Sequence, residues 1–135
     1  MSAATSQSVA AVGVQAMDDQ HEILMDTLNQ LRQQLGHGRS GAELNGQISR
    51  LIEFADMHFS CEESLLRRHG FPGLKEHSEA HQKLLDLVRR AVERADRGDD
   101  TALQQALSYL RGEYMQHVNG LDRQYAEWMN AQGVY

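Results

Sequence analysis

Five histidines and two carboxylates, His21, His58, Glu62, His77, His81, His117 and Asp122, are spread over four segments of a 135-residue chain. Six of them stand where a helix would be expected to place an apolar residue against its core. Burying an imidazole or a carboxylate without a partner costs several kcal/mol, roughly, so a core that carries this many needs something for them to hold. The chemistry open to such a set is metal coordination. His58 with Glu62, and His77 with His81, are each four residues apart, which is about 40° around a helix, so each pair aims two donors the same way.

The elements that must position these groups are read from apolar periodicity. His21, Leu24, Leu28, Leu31 and Leu35 recur at helical spacing over about Asp18 to Leu35, with Asp18 or Asp19 as the expected cap and Gly36-His37-Gly38 as the stop. A second stripe, Ile48, Leu51, Ala55, His58, Glu62 and Leu65, follows a capping box formed by Ser40 and Glu43 and ends near Gly70. Pro72 suits the first turn of a third helix, whose stripe is Leu74, His77, His81, Leu84, Val88, Ala91 and Ala95 and which Gly98 closes. The fourth opens at Asp100 or Thr101, with Gln104 three residues after the threonine, and carries Leu103, Leu107, Leu110, Tyr114, His117, Leu121, Tyr125 and Trp128 before fading near Gly133. Four long helices with short links predict an all-α, antiparallel up-down-up-down bundle. In that topology the ligand-type residues of all four helices fall at one end, and Leu28, Leu31, Leu35, Ile48, Leu51, Val88 and Leu103 close the other.

Asp122 does not follow from periodicity. It lies five residues after His117, about 140° around a regular helix. Only a local widening of the helix would bring it onto the same face.

Composition narrows the classes. The length suits one domain, read as residues 12–135, with 1–11 as a flexible lead-in. No apolar run approaches the roughly 20 residues of a membrane span, and the N-terminus lacks the basic and apolar regions of an export signal, so a cytoplasmic location is expected. A net charge of -6 argues against nucleic-acid partners. The single cysteine, Cys61, points about 100° away from Glu62 and is expected to be buried or interfacial. His37 and His69, each beside a glycine at a helix end, are expected to interact with the helix dipole and not with a metal.

One zinc ion saturates at four ligands, so the set is too large for a single structural site and implies two metals. Calcium and magnesium favour all-oxygen shells, whereas imidazole with carboxylate suits iron, manganese or zinc. Two six-coordinate ions sharing two carboxylates and one oxygen leave six terminal positions, and five histidines fill all but one. A small ligand would bind at the vacancy.

The segments MDDQH (Met17 to His21), HFSCEE (His58 to Glu63), HGFPGLKEHSEAH (His69 to His81) and HVNGLD (His117 to Asp122) resemble the hemerythrin family in its single-domain bacterial form, over Val12 to about Trp128. The resemblance implies a non-haem di-iron centre with a bridging oxo or hydroxo group. Glu62 and Asp122 would bridge the irons, His77, His81 and His117 would complete one, and His21 and His58 would hold the other. It further implies reversible dioxygen binding at the open position, for storage, delivery or scavenging in a bacterial cytoplasm, by a non-enzymatic monomer or weak homo-oligomer. Peroxide or nitric oxide turnover, an oxygen or redox sensor, and a zinc-filled structural bundle are the alternatives.

One departure from the family pattern stands out. Where a tryptophan and a leucine commonly precede the last histidine by four and three residues, this chain has Glu113 and Tyr114. Tyr114 is expected to reach the open iron position or to be a core tyrosine with a satisfied hydroxyl. Glu113, as a pocket lining, would admit water or protons.

Overall fold

A computed structural model describes residues 12–135; the expected lead-in, residues 1–11, lies outside the described residues. The chain folds as a four-helix bundle. Its arms are α1 (Gln15–Gly36), α2 (Asn45–Arg68), α3 (Leu74–Asp96) and a fourth arm built from α4 (Asp100–His117), a π-helical turn (Val118–Asp122) and α5 (Arg123–Ala131). Each arm packs on its neighbours in sequence, and the fourth returns to α1 to close the ring. No helix of the described residues is long and apolar enough to cross a membrane.

The helix starts differ from the sequence expectation. Helix α1 begins at Gln15, because Val14 and Met17 are also buried and extend the stripe one turn upstream. Asp18 is therefore inside the helix, and its carboxylate reaches back to accept the amides of Val12 at 2.7 Å and Gly13 at 3.2 Å. The Ser40–Glu43 box forms, with Ser40 N–H donating to Glu43 Oε1 and Glu43 N–H donating to Ser40 Oγ, but it closes a turn ahead of α2, which starts at Asn45. Pro72 likewise sits in the turn before α3. The cap of α4 is Asp99, whose Oδ1 accepts Ala102 N–H at 3.0 Å.

Two glycines set the far end. Gly98, at φ +91°, lets α3 reverse within two residues of α4. Gly41 lies flat on the start of α4, where its N–H donates to Asp100 Oδ1 and a Cβ would stand 2.8 Å from that oxygen.

The two ends of the bundle differ in chemistry. Leu28, Leu31, Leu44, Leu103 and Leu107 are fully enclosed at one end, the dry core that the stripes predict. Four stripe positions are less buried than expected: Leu66 is buried where Leu65 was expected, and Leu74, Leu121 and Trp128 are half-buried. Cys61 is exposed, its thiol facing Met57 Sδ at 3.6 Å, so the expectation of a buried thiol is corrected. It sits one residue from Glu62 on α2, so the rotation that buries the carboxylate turns the thiol outward. His37 and His69 cap the ends of α1 and α2, away from the other five histidines.

Candidate metal centre

At the opposite end, all seven ligand-type side chains meet, each buried. Helix α1 supplies His21, α2 supplies His58 and Glu62, α3 supplies His77 and His81, and the fourth arm supplies His117 and Asp122. The π-turn makes the last contribution possible. It inserts one residue into the helical repeat between His117 and Asp122, so that positions five apart share a face and His117 Nε2 lies 3.0 Å from Asp122 Oδ1.

The donor atoms form two groups. Glu62 Oε1 lies 2.8 Å from His77 Nε2 and 3.1 Å from His81 Nε2, while Asp122 Oδ1 lies 2.9 Å from His77 Nε2. With His117 these make a five-residue set whose ligand atoms are within 4.8 Å of one another. On the other side Glu62 Oε2 is 3.0 Å from His21 Nε2 and 3.2 Å from His58 Nε2, and Asp122 Oδ2 is 3.1 Å from His21 Nε2. Each carboxylate thus turns one oxygen to each group. Three imidazoles serve one group and two the other.

Hydrogen bonding does not account for all of these contacts. His58 Nε2 and both Asp122 oxygens have no hydrogen-bond partner, although each lies within 3.2 Å of another donor atom. His81 and His117 bring their Nε2 atoms to 3.1 Å, an approach that needs a proton or a cation between them. Octahedral neighbours about 2.1 Å from a common ion would be about 3.0 Å apart, and tetrahedral neighbours about 3.4 Å. The carboxylate–imidazole contacts, at 2.8–3.2 Å, match the octahedral spacing. The residues present fit metal ligation in two adjoining groups.

The outer contacts orient the rings. His58 Nδ1–H donates to Gln20 Oε1 at 2.7 Å, and His81 Nδ1–H donates to Glu63 Oε2 at 2.7 Å, which leaves each Nε2 lone pair free to face the centre. Ser78 Oγ holds Glu63 from its other oxygen at 2.6 Å. Tyr125, on the stripe of the fourth arm, donates its hydroxyl to Glu62 Oε2 at 3.1 Å. Its place on the buried stripe was visible in sequence; its partner, contributed by α2, was not.

Electrostatics follow from the same crowding. Burial alone would depress the imidazoles of His21 and His77, but the adjacent Asp122 and Glu62 outweigh it and hold both up at about 9. Burial pushes Glu62 and Asp122 upward, and the surrounding imidazoles reverse this and hold both well below the usual carboxylate range.

The two departures at positions 113 and 114 separate. Tyr114 is buried beside the cluster, its ring centroid 6.1 Å from that of His21. It also borders a partly open apolar cavity of about 20 Å³ together with Phe59, Leu24, Leu84 and Leu110. Glu113 lies in a different place, a surface groove with Lys83, His117 and Gln124.

The family model of the Hemerythrin HHE cation binding domain matches residues 12–129. The chain belongs to the hemerythrin family. Similar curated proteins named Bacteriohemerythrin occur in Methylococcus capsulatus, 25% identical over 114 residues covering 84% of this chain and 86% of that protein. The Stenotrophomonas maltophilia relative is 26% identical, covering 89% and 77%. The Ralstonia nicotianae relative is also 26% identical, covering 90% and 85%. No solved structure matches. Within this hemerythrin domain the polar end carries the candidate metal ligands, and the leucine-filled end is scaffold.

Proposed function

We propose that this hemerythrin domain holds two iron ions and binds dioxygen reversibly, as a storage, delivery or scavenging protein and not as an enzyme. The observation that carries the reading is the division of seven buried donors into a three-histidine and a two-histidine group that share both carboxylates. His77, His81 and His117 would hold one ion and His21 and His58 the other, with Glu62 and Asp122 spanning the two. The group with two imidazoles is one ligand short, which leaves a position for a small molecule. When bound, a ferrous pair supplies the two electrons that oxygen uptake draws on.

The chain's own part is binding, orientation and enclosure. Glu63 and Gln20 fix the tautomers of His81 and His58, so these rings present lone pairs and not protons to the centre. His21, His58, Glu62, His81 and Asp122 have no solvent exposure, which denies water a route to displace what is bound. The apolar cavity bordered by Phe59 and Tyr114 is a space that an uncharged diatomic enters without loss of hydration.

The test is to load the protein with iron, reduce it under anaerobic conditions and admit oxygen. A visible charge-transfer band that disappears on deoxygenation and returns on re-oxygenation is the expected result. Irreversible bleaching would replace this reading with peroxide- or nitric-oxide-directed turnover, and the absence of any band would leave a zinc-filled or metal-free core.

A further inference from the structure

Tyr114 presents an unexplained hydroxyl. The side chain is 1% exposed, and its hydroxyl oxygen is buried with no hydrogen-bond partner among the described residues. A buried hydroxyl left unpaired costs about 1–3 kcal/mol, a loss that phenylalanine would avoid in the same space. The position is not remote from the metal centre. Its ring stands edge-on to His21 at 6.1 Å and nearly parallel to His117 at 6.5 Å, so it borders one histidine of each group, with His21 the nearer. Tyr114 also borders the apolar cavity. Tyr114 therefore stands at the junction between the space a diatomic would occupy and the group that is one imidazole short.

Its charge state fits a donor. A phenol is a neutral donor at neutral pH, so Tyr114 has a proton to offer. Tyr125 has already committed its hydroxyl to Glu62, which leaves Tyr114 as the free phenol at the site.

We propose that Tyr114 donates a hydrogen bond to the exogenous ligand at the open position beside His21 and His58, and so favours ligands that present an electron-rich terminal atom to it. The inference rests on the two-metal reading above. The probe is azide, added to the oxidised, iron-loaded protein. Azide binding, followed by its charge-transfer band, weakens by about 10- to 100-fold in Tyr114→Phe, the range for a hydrogen bond to a charged acceptor. In wild-type protein the bound-azide stretch shifts between H2O and D2O, and in the variant the shift is lost.

Equal azide affinity in the two proteins, or a D2O shift that persists in the variant, overturns the role of Tyr114. A wild-type protein that shows no D2O shift overturns it even if the variant fails to fold. A phenolate-to-iron band in wild-type protein, absent from Tyr114→Phe, makes Tyr114 a ligand and overturns it as donor. A wild-type protein that takes up no iron, or shows no azide band, overturns the two-metal reading and this inference with it; an azide band with equal affinities overturns the inference alone.

Discussion

Asp122 Oδ1 lies 3.0 Å from His117 Nε2 although they are five positions apart along one continuous helical arm. The relationship exists because the Val118–Asp122 segment is π-helical. Asp122→Ala removes the carboxylate without rotating α5 and is expected to reduce bound metal from two ions per chain to one or none, measured by elemental analysis after gel filtration. Deleting the exposed Asn119 removes the inserted residue and puts Asp122 four positions after His117, about 40° around an ordinary helix, so that variant is expected to keep both ions. Two ions retained in Asp122→Ala would show that this carboxylate is not a ligand.

Tyr125→Phe leaves Glu62 Oε2 without its phenol donor. Loss of one buried hydrogen bond to a carboxylate destabilises the metal-free protein by about 1–3 kcal/mol in denaturant titrations. Competition with a chelator is expected to reveal metal affinity about 10- to 100-fold lower, the usual effect of removing an outer contact to a ligand. An unchanged affinity would assign Tyr125 to packing alone.

The two groups differ in their support. His81 is oriented by a carboxylate, Glu63, whereas His58 is oriented by the neutral amide of Gln20. An anionic partner raises imidazole basicity, and the group containing His81 also has the third histidine. The first equivalent of metal is therefore expected at His77, His81 and His117. Stepwise titration monitored by imidazole NMR shifts checks the order, and Glu63→Gln lowers the first affinity by about 10- to 100-fold. Simultaneous broadening of His21 and His77 from the first addition would contradict it.

In the metal-free protein His21 and His77 titrate at about 9, above the ordinary 6.5. Their contribution to stability is complete below pH 6.5 and is lost as pH rises through about 9. Glu62 and Asp122 are depressed, so their contribution is present above the ordinary carboxylate range and is lost as pH falls below it. Metal ligation needs neutral imidazoles, so uptake at pH 7.5 releases about two protons from His21 and His77, and affinity climbs with pH until it levels near 9. Calorimetry in two buffers of different ionisation heat counts those protons. Uptake with no proton release would show that the imidazoles were already neutral.

Leu107→Ala separates scaffold from site. Leu107 is fully buried in the leucine-filled end, and truncating it is expected to cost about 2–5 kcal/mol of metal-free stability. The variant still binds two ions, measured by the same elemental analysis. Loss of either ion would mean that packing at one end propagates to the other.

The four arms and six of the seven donors were legible in sequence because both rest on one local rule, the helical repeat. Leu24, Leu28 and His21 obey it together, and so do His77 and His81. What escaped that rule depended on interruptions or on distant partners. Asp122 needed the family resemblance, since a π-turn leaves no periodic trace of its own, and Leu121 was assigned to the buried face for the same reason. The start of α1 was missed because Asp18 looked like a cap while acting as an acceptor for the segment before the helix. The hydroxyl of Tyr125 meets a carboxylate 63 positions earlier, a pairing that only the packed bundle specifies.

The unequal ends of the bundle carry a consequence for how the protein acquires its metals. The leucine-filled end is held chiefly by apolar burial, while the other end, without metal, concentrates imidazolium and carboxylate groups in a dry space. Protection against amide exchange should therefore grade along the helix axes, with the polar end opening as a cooperative unit while the leucine end stays closed. An opening of that kind would let ions enter on a folded scaffold, and bound ions would then hold the polar end shut.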